Sequence, residues 1–391
     1  MKYYIIAGEA SGDLHGSNLM KGIYEEDPNA EIRFWGGDKM LEVYDSNSKN
    51  SDGGLVKHYK DGAIIGFVEV LLKAKTLLGN VSSCKQDILR WNPDVVILID
   101  YPGFNFKIAE FAHKKGFKVF YYIAPKVWAS REGRIKKLKK YVDKLFIVFP
   151  FEIPYFKSKG IDFIYKGNPL VDAIDQSGAM TETREDFLKR NSLEDRPIIA
   201  MLAGSRKGEI KTMMPVLTEF SRKLRSVPGY EDHQFLIAGA PARNMDDYSP
   251  WMDTSDDRVK VLFGQTQEII RNARAAVVNS GTASLETVLL GTPQVVGYIG
   301  ASRLSYLIAK KIIKVKYISL GNLIIDRLAF KEFIQDDCNS DALVKEVRAL
   351  IEDKKYREKM LSDYNEIRTA LGGRGASGAV AKSMIEELLR K

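Results

Sequence analysis

Residues Ala276-Val277-Val278-Asn279-Ser280-Gly281-Thr282-Ala283-Ser284-Leu285-Glu286 read as a buried strand, a turn of small residues and the first turn of a helix. A helix that begins there leaves unpaired backbone N–H groups at the carboxyl edge of a sheet, where phosphate binds. Gly281 lets a ligand approach the backbone, and the side chains of Ser280, Thr282 and Glu286 can contact its oxygen atoms. An ordinary capped helix in an α/β domain explains the same pattern.

Outside this stretch, short apolar strands alternate with helical patterns in two series. Such alternation is typical of an α/β protein with parallel, doubly wound sheets. The predicted strands are 3–7, 31–35, 94–99, 117–122, 144–148 and 161–165 in the first series, and 198–202, 234–238, 259–262, 275–279, 294–298 and 316–319 in the second. We therefore expect two Rossmann-like domains, residues 1–170 and 171–374, and a helix at about 375–391 that can pack back on the first.

Length and composition narrow the class of protein. A chain of 391 residues is longer than a domain with a single hydrophobic core usually is. Its composition, with 45% apolar and 28% charged residues, is typical of a soluble globular enzyme. No stretch approaches the 18 or so uncharged apolar residues of a membrane span. The two cysteines, Cys84 and Cys338, are far apart, which favours a reducing compartment. We expect a cytoplasmic location.

The formal net charge of +8 is unevenly distributed. Residues 131–144 contain seven basic side chains, and residues 307–316 mix lysines with large aliphatics as interfacial helices do. These stretches predict contact with an anionic membrane surface, and the absence of interleaved aromatics argues against nucleic acid. A solvated helix face explains the same charges. The apolar segment 66–78 faces either the core or a lipid-like ligand or membrane.

Asp100 is the candidate general base. It follows the predicted strand that ends at Ile99, so its carboxylate lies at the sheet edge where α/β proteins bind ligands. A partly dry site raises the pKa of a carboxyl group toward neutrality, and the group can then take a proton from an attacking hydroxyl. Alternatively, Asp100 fixes the turn or caps the following helix.

Two further turns are candidate phosphate sites. The turn at residues 7–13, Ala-Gly-Glu-Ala-Ser-Gly-Asp, lacks the spacing of a dinucleotide loop; it can bind an acceptor phosphate or simply lead into a capped helix. The turn at 203–209 places Arg206 after Gly204 and Ser205, where its guanidinium can grip a diphosphate. Asn322 follows another predicted strand and can supply an amide to the same pocket. The four histidines are scattered, so we predict neither a metal nor a cofactor.

Seven motifs together resemble the lipid-A-disaccharide synthase family. They are A-G-E-A-S-G-D at 7–13, I-G-F-V-E-V-L at 65–71, I-D-Y-P-G-F-N at 99–105, A-P-K-V-W at 124–128, A-G-S-R at 203–206, S-G-T-A-S-L-E at 280–286 and S-L-G-N at 319–322. The resemblance runs nearly end to end. It implies a GT-B glycosyltransferase whose two domains face a cleft, the first holding the acceptor and the second the UDP-sugar.

The resemblance also implies a reaction and roles for residues. The expected substrates are UDP-2,3-diacylglucosamine and 2,3-diacylglucosamine 1-phosphate, joined with inversion into a β(1→6) disaccharide at the inner face of the inner membrane, without a metal. Asp100 matches the family's essential aspartate. Arg206 matches the family's diphosphate arginine, Thr282 and Glu286 its nucleotide turn, and Asn322 its donor-site asparagine. We also assign Gly204, Ser205, Ser280 and Gly281 to the donor site, and Ser11, Gly12, Asp13, Glu69 and Asn105 to the acceptor or lipid side.

Two positions depart from the family pattern, and other functions fit part of the sequence. Gly103 stands where Asp is commoner, which removes a second carboxylate, and Asn168 stands where His is commoner. A sugar-nucleotide 2-epimerase would share the nucleotide turn but has no use for the apolar segment 66–78. A membrane-surface nucleotide-binding scaffold would explain the basic stretches but leave Asp100 unused. The sequence is compatible with a homo-oligomer.

Overall fold

The structure is a computed structural model that describes residues 1–49, 52–62, 69–129, 132–300 and 316–390, without the side chains of 69–78. The chain divides into an N-terminal unit, Met1–Ala173 with Gly372–Lys391, and a C-terminal unit, Ile174–Leu371. Each unit is built around one parallel sheet with helices between its strands, which confirms the predicted α/β class of two Rossmann-like domains.

The N-terminal unit has a seven-stranded sheet of order β3-β2-β1-β4-β5-β6-β7. Its strands are β1 (Lys2–Ala7), β2 (Glu31–Gly36), β3 (Gly54–His58), β4 (Val95–Ile99), β5 (Lys118–Tyr122), β6 (Lys144–Ile147) and β7 (Phe163–Tyr165). Its helices are α1 (Ala10–Glu26), α2 (Asp38–Asn47), α3 (Glu69–Trp91), α4 (Pro102–Lys114), α5 (Ile135–Tyr141), α6 (Glu152–Ser158) and α7 (Pro169–Asp175), whose last two residues belong to the other unit.

The C-terminal unit has a six-stranded sheet of order β10-β9-β8-β11-β12-β13. Its strands are β8 (Ile198–Leu202), β9 (Gln234–Gly239), β10 (Val259–Phe263), β11 (Ala275–Asn279), β12 (Gln294–Tyr298) and β13 (Glu332–Ile334). Its helices are α8 (Arg184–Arg190), α9 (Lys207–Arg225), α10 (Thr266–Asn272), α11 (Thr282–Leu290), α12 (Leu320–Ile324), α13 (Ser340–Glu352) and α14 (Lys354–Leu371). A last helix, α15 (Ala376–Leu389), follows a break at Gly372–Gly373 and belongs to the N-terminal unit.

Two predictions of secondary structure need correction. Residues 316–319 do not form a strand, and the sixth strand of the second sheet is β13. The edge strand β3 was not predicted. The basic segment 307–316 lies outside the described residues except for Lys316, and residues 66–68 of the apolar segment 66–78 lie outside them as well.

The N-terminal sheet is covered on both faces. One face packs on α3, α4 and α5, and the other on α1, α2 and α15. The central strands β4 and, after its first residue, β1 are continuous apolar runs, as a parallel sheet that is buried on both faces requires. α15 lies against α1 so closely that a Cβ at Gly22 would stand 2.9 Å from the Cα of Gly378. The Asp172 carboxylate accepts hydrogen bonds from the backbone of Gly375 (2.7 Å) and Ser377 (2.8 Å), which fixes the start of α15.

Candidate functional site

The turn after β11 exposes the N-terminus of a helix. Gly281 is the N-cap of α11 and provides no side-chain cap. Its φ of 169° is ordinary extended backbone, and a Cβ at this position would meet no described heavy atom within 4 Å. The fold therefore does not require glycine here. The open space in front of the α11 N–H groups suits an anion.

The side chains around this turn differ in exposure. Thr282 is exposed, whereas the Ser280 hydroxyl lies 3.4 Å from the carbonyl oxygen of Ile318. Glu286 is partly exposed, and burial of its carboxyl raises its pKa, an effect opposed by a hydrogen bond from Gln267. A carboxyl group with a raised pKa can accept hydrogen bonds from sugar hydroxyls when it is ionised, and can also donate one to them when it is protonated.

The turn after β8 is already occupied by a carboxylate of the chain. Glu209 Oε2 accepts hydrogen bonds from the backbone N–H groups of Ser205 (3.0 Å) and Arg206 (3.2 Å), and its Oε1 lies 3.1 Å from the Arg206 guanidinium. Gly204, with φ +105°, is required, because a Cβ there would lie 2.5 Å from Asn279 Nδ2. The Arg206 side chain is 73% exposed and so can reach a ligand.

Asn322 is used inside the protein. It is fully buried; its amide nitrogen donates to the carbonyl of Phe330 (3.0 Å) and to Glu332 (2.8 Å), and its oxygen accepts from the N–H of Ala329 (2.8 Å). The sequence predicted an amide that faces the nucleotide. In this structure Asn322 instead fixes the start of β13, because its hydrogen-bonding groups are satisfied by the fold.

Asp100 has a strained backbone that its neighbours hold in place. Asp100 and Tyr101 have φ of +41° and +44°, in the left-handed region that non-glycine residues seldom adopt. The Asp100 carbonyl accepts hydrogen bonds from the Tyr121 hydroxyl (2.6 Å) and the Asn105 amide (2.8 Å). Burial and the charge of Asp100 raise the pKa of Tyr121 well above its usual value, so this hydroxyl remains a donor. Backbone strain of this kind is concentrated at functional sites.

The other acceptor-side residues are mostly structural. Asn105, predicted to lie on the acceptor side, is fully buried and locks Asp100. The predicted loop at Ser11, Gly12 and Asp13 is the first turn of α1, because the helix begins at Ala10. Only Ser11 is exposed. Gly12 is buried against β1, with its Cβ position 3.3 Å from Ala7 Cβ.

Asp13 acts on the neighbouring helix. Its buried carboxylate accepts hydrogen bonds from the backbone of Gly37 (2.7 Å), Lys39 (3.1 Å) and Met40 (3.1 Å), and so holds the N-terminus of α2. Of the two alternatives for this turn, the structure shows a turn that leads into a helix, although the helix begins at Ala10 and Asp13 is not its N-cap. A role of Asp13 in acceptor binding stays a prediction. Glu69, the first residue of α3, has a side chain outside the described part of the structure.

The described ranges contain neither a metal cluster nor a membrane span. No three or more His, Cys, Asp and Glu side chains in them are grouped so as to hold a metal ion. None of the helices in these ranges is both long enough and apolar enough to cross a bilayer.

Comparison with known proteins identifies the family. A family model described as Lipid-A-disaccharide synthetase matches residues 3–382. The chain is 33% identical over 387 residues to the lipid-A-disaccharide synthase of Trichlorobacter lovleyi, with 98% of this chain and 97% of that protein covered. It is 36% identical over 382 residues to that of Syntrophus aciditrophicus, with 96% and 95% covered.

This chain belongs to the lipid-A-disaccharide synthase family. The predicted resemblance is thereby confirmed, and the protein is an enzyme, a glycosyltransferase of lipid A biosynthesis. Within the family pattern, Gly103 is exposed with open space around its Cβ position, so the fold does not exclude the commoner aspartate. Asn168 is buried and donates to the carbonyl of Val148 (2.9 Å), a bond that ties the chain after β7 to the end of β6.

Other proteins of known structure share the fold of this member of the lipid-A-disaccharide synthase family. The UDP-GlcNAc 2-epimerase of Neisseria meningitidis, solved with UDP-GlcNAc, superposes with a TM-score of 0.69 at 14% identity and covers 99% of this chain and 100% of its own. A glycosyltransferase from Rickettsia africae gives a TM-score of 0.56 at 11% identity, with 100% and 99% covered. These likenesses show the GT-B class of fold.

Sequence reasoning missed three residues that hold turns after strands of the two sheets. Glu209 follows Arg206 at the spacing of a capping box, a signal that could have revealed it. Tyr121 gave no signal, because it resembles any apolar strand residue. Glu152 is buried and accepts hydrogen bonds from the Trp128 indole (3.1 Å) and two backbone N–H groups; burial raises its pKa to about 7.

Proposed function

We propose that this enzyme transfers the diacylglucosamine unit of UDP-2,3-diacylglucosamine to the 6-hydroxyl of 2,3-diacylglucosamine 1-phosphate. The product is the β(1→6) disaccharide 1-phosphate, and the anomeric centre of the donor is inverted. The family match over residues 3–382 supports the class of substrate. The observation that carries the proposal is the locked left-handed backbone of Asp100, a carboxylate at the end of a central strand.

Asp100 acts as the general base. The acceptor oxygen attacks the anomeric carbon from the face opposite UDP, so the new C–O bond forms as the bond to the diphosphate breaks and its electron pair leaves with UDP. Asp100 takes the proton of the hydroxyl during this attack. The rigid backbone supports this role, because general-base catalysis depends on a fixed distance between base and hydroxyl.

The C-terminal unit binds UDP and stabilises its negative charge. Arg206 and the N-terminus of α11 supply positive charge and N–H donors to the diphosphate, with Ser280, Thr282 and Glu286 around the nucleotide and sugar. Because these groups take the charge that develops on UDP, we expect turnover to persist in EDTA. Loss of turnover that magnesium restores would contradict this part of the proposal.

The enzyme acts at the cytoplasmic face of the inner membrane as a peripheral protein. α5 supports this location: Ile135, Leu138 and Tyr141 are buried, while four lysines are exposed on the same short helix, namely Lys136, Lys137, Lys139 and Lys140. Such a basic face attracts anionic lipid headgroups. Binding to vesicles with and without anionic lipid would test it.

The decisive experiment is mass spectrometry of the products formed from UDP-2,3-diacylglucosamine with and without the acylated monosaccharide 1-phosphate. We expect disaccharide 1-phosphate and UDP only when both sugars are present. Release of UDP from the donor alone, or no disaccharide with both, would overturn the proposal.

A further inference from the structure

A small aromatic pocket lies at the carboxyl edge of the N-terminal sheet. Its volume is about 50 Å³, and its walls include Trp35, Lys57, Tyr59, Asn80, Tyr101 and Phe104. The strand order places the pocket at the ends of β1, β2, β3 and β4, beside the point between β1 and β4 where the order reverses. Open α/β sheets bind ligands at such a point.

The pocket shape is built into the backbone. A Cβ at Gly8 would lie 2.3 Å from the Tyr101 ring, and a Cβ at Gly37 would lie 2.2 Å from the Tyr59 ring. Glycine is therefore needed at both positions for these tyrosines to take their places. Trp35 is also fixed, because its indole N–H donates to the Tyr4 hydroxyl (3.0 Å), which in turn donates to Asp87 (2.8 Å).

Lys57 is the cation of this pocket. It is partly buried; its ammonium donates to Asn80 Oδ1 (2.7 Å) and lies 5.8 Å from the centre of the Trp35 ring. No carboxylate among the described residues lies within ion-pair distance of it. The nearby Asp38 pairs with Lys60 (2.7 Å) instead. A partly buried charge whose partners among the described residues are neutral favours an anionic ligand.

The neighbouring His58 also lines the pocket. The His58 Nδ1 accepts a hydrogen bond from the backbone N–H of Lys60 (3.1 Å), and its Nε2 faces Asp38 at 3.3 Å. The Nε2 atom is nevertheless buried and makes no hydrogen bond to the described residues. The pocket thus offers the Lys57 ammonium, the Asn80 amide, the His58 imidazole and aromatic walls.

We propose that this pocket binds the 1-phosphate of the acceptor sugar through Lys57 and Asn80. This subsite rests on the proposed function, in which the acceptor's only charged group is that phosphate. A lysine ammonium is a suitable phosphate ligand. One water needs roughly 10–15 Å³ by the same measure of volume, so the pocket has room for a phosphate but not for a diacylated sugar. Tyr101 lines this pocket and is next to the proposed base Asp100 in the chain.

The test compares two acceptors in a neutral detergent without phospholipid, which excludes a lipid headgroup as the source of phosphate. One is 2,3-diacylglucosamine 1-phosphate, and the other is the same sugar with a free anomeric hydroxyl. We expect the wild-type enzyme to prefer the phosphorylated acceptor in kcat/KM by roughly 10- to 100-fold, the usual effect of a charged hydrogen bond. Lys57→Met should lower kcat/KM by that factor with the phosphorylated acceptor and leave the other within about twofold.

Matched variants separate charge from packing. Lys57→Arg keeps the charge and should retain most of the preference, and Lys57→Gln replaces Met if that variant unfolds. Lys60 is an exposed lysine of the adjacent turn, and Lys60→Met should leave kcat/KM unchanged with both acceptors. A Lys57→Met enzyme that keeps the wild-type preference, or that loses activity equally with both acceptors, overturns the subsite alone. If the wild type forms no disaccharide, the proposed function fails together with it.

Discussion

The turn after β4 and the turn after β11 lie at the carboxyl edges of two similar sheets, but their residue types and backbone conformations are mismatched in opposite ways. At the first, Asp100 and Tyr101 adopt a left-handed backbone that would suit glycine better. At the second, Gly281 adopts an extended backbone that any residue could adopt. The first turn therefore has non-glycine residues although its backbone is strained. The second has a glycine although its backbone does not require one.

This contrast separates two kinds of chemistry. Tyr121 and Asn105 hold the strained backbone of Asp100 in place. In the proposed mechanism this strain is tolerated because the Asp100 carboxylate is the general base. Glycine at 281 leaves the backbone N–H groups of α11 accessible, which suits a ligand that binds main chain. We therefore expect changes at the first turn to affect turnover and changes at the second unit's turns to affect UDP binding.

The largest effect is expected for Asp100→Asn. The amide keeps the shape of the side chain but cannot accept the proton, so turnover should fall by roughly 10²- to 10⁴-fold with UDP affinity unchanged. Steady-state kinetics and UDP titration calorimetry measure the two quantities. Asp94→Asn, an exposed aspartate just before the same strand, is the control. Near-normal turnover, or a defect confined to UDP binding, would remove Asp100 from the mechanism.

Arg206→Ala should show the opposite pattern. Removal of a charge-assisted contact to the diphosphate should weaken UDP binding and product formation at least tenfold, by roughly 1.5–3 kcal/mol. Arg222→Ala, an exposed arginine farther along α9, should leave both unchanged. Wild-type activity in Arg206→Ala would refute the assignment.

Tyr121→Phe tests the lock on Asp100. Loss of one hydrogen bond of ordinary strength, about 0.5–1.5 kcal/mol, should lower turnover roughly 2- to 10-fold and leave UDP affinity intact. Tyr122→Phe is the matched control, because Tyr122 packs on the opposite face of the sheet. Equal effects of the two variants would show that Tyr121 acts on stability only.

The smallest effect on the fold is expected for Gly281→Ala. A methyl group there meets no described atom, so the free energy of unfolding should change by less than about 0.5 kcal/mol, while UDP binding weakens several-fold because the methyl obstructs the diphosphate. Gly204→Ala should instead destabilise the protein by about 1–3 kcal/mol because of its positive φ and close neighbours. Urea denaturation and calorimetry measure both. Unchanged UDP affinity in Gly281→Ala would contradict an anion site at α11.

The fold class and most strands could be predicted because buried parallel strands are continuous apolar runs. The edge strand β3 escaped because its residues are mostly half-exposed and include Lys57 and His58. Residues 316–319 look like a strand by composition, yet the backbone N–H groups of Ile318 and Ser319 donate to the Glu332 carboxylate. That partner is more than ten residues away, so local pattern could not reveal it.

The placement of a candidate residue just after a strand was predictable, as for Asp100 after β4 and Arg206 after β8. The role of a residue was not predictable where its polar side chain serves another segment. Asp13 and Asn322 have the residue types of ligand-binding positions, but their partners are backbone groups of α2 and of the chain before β13. A sequence shows a polar group at a turn and does not show which segment satisfies it.

The packing of α15 on α1 has a consequence for synthesis of the protein. The C-terminal unit is a continuous segment inserted into the N-terminal one, so it can fold as soon as its last residues leave the ribosome. The N-terminal unit is begun first, yet Val380, Ala381 and Met384 complete its core. Until residues 376–389 are made, the apolar face of α1 lacks its cover. The half of the enzyme that carries Asp100 is therefore the last to finish folding.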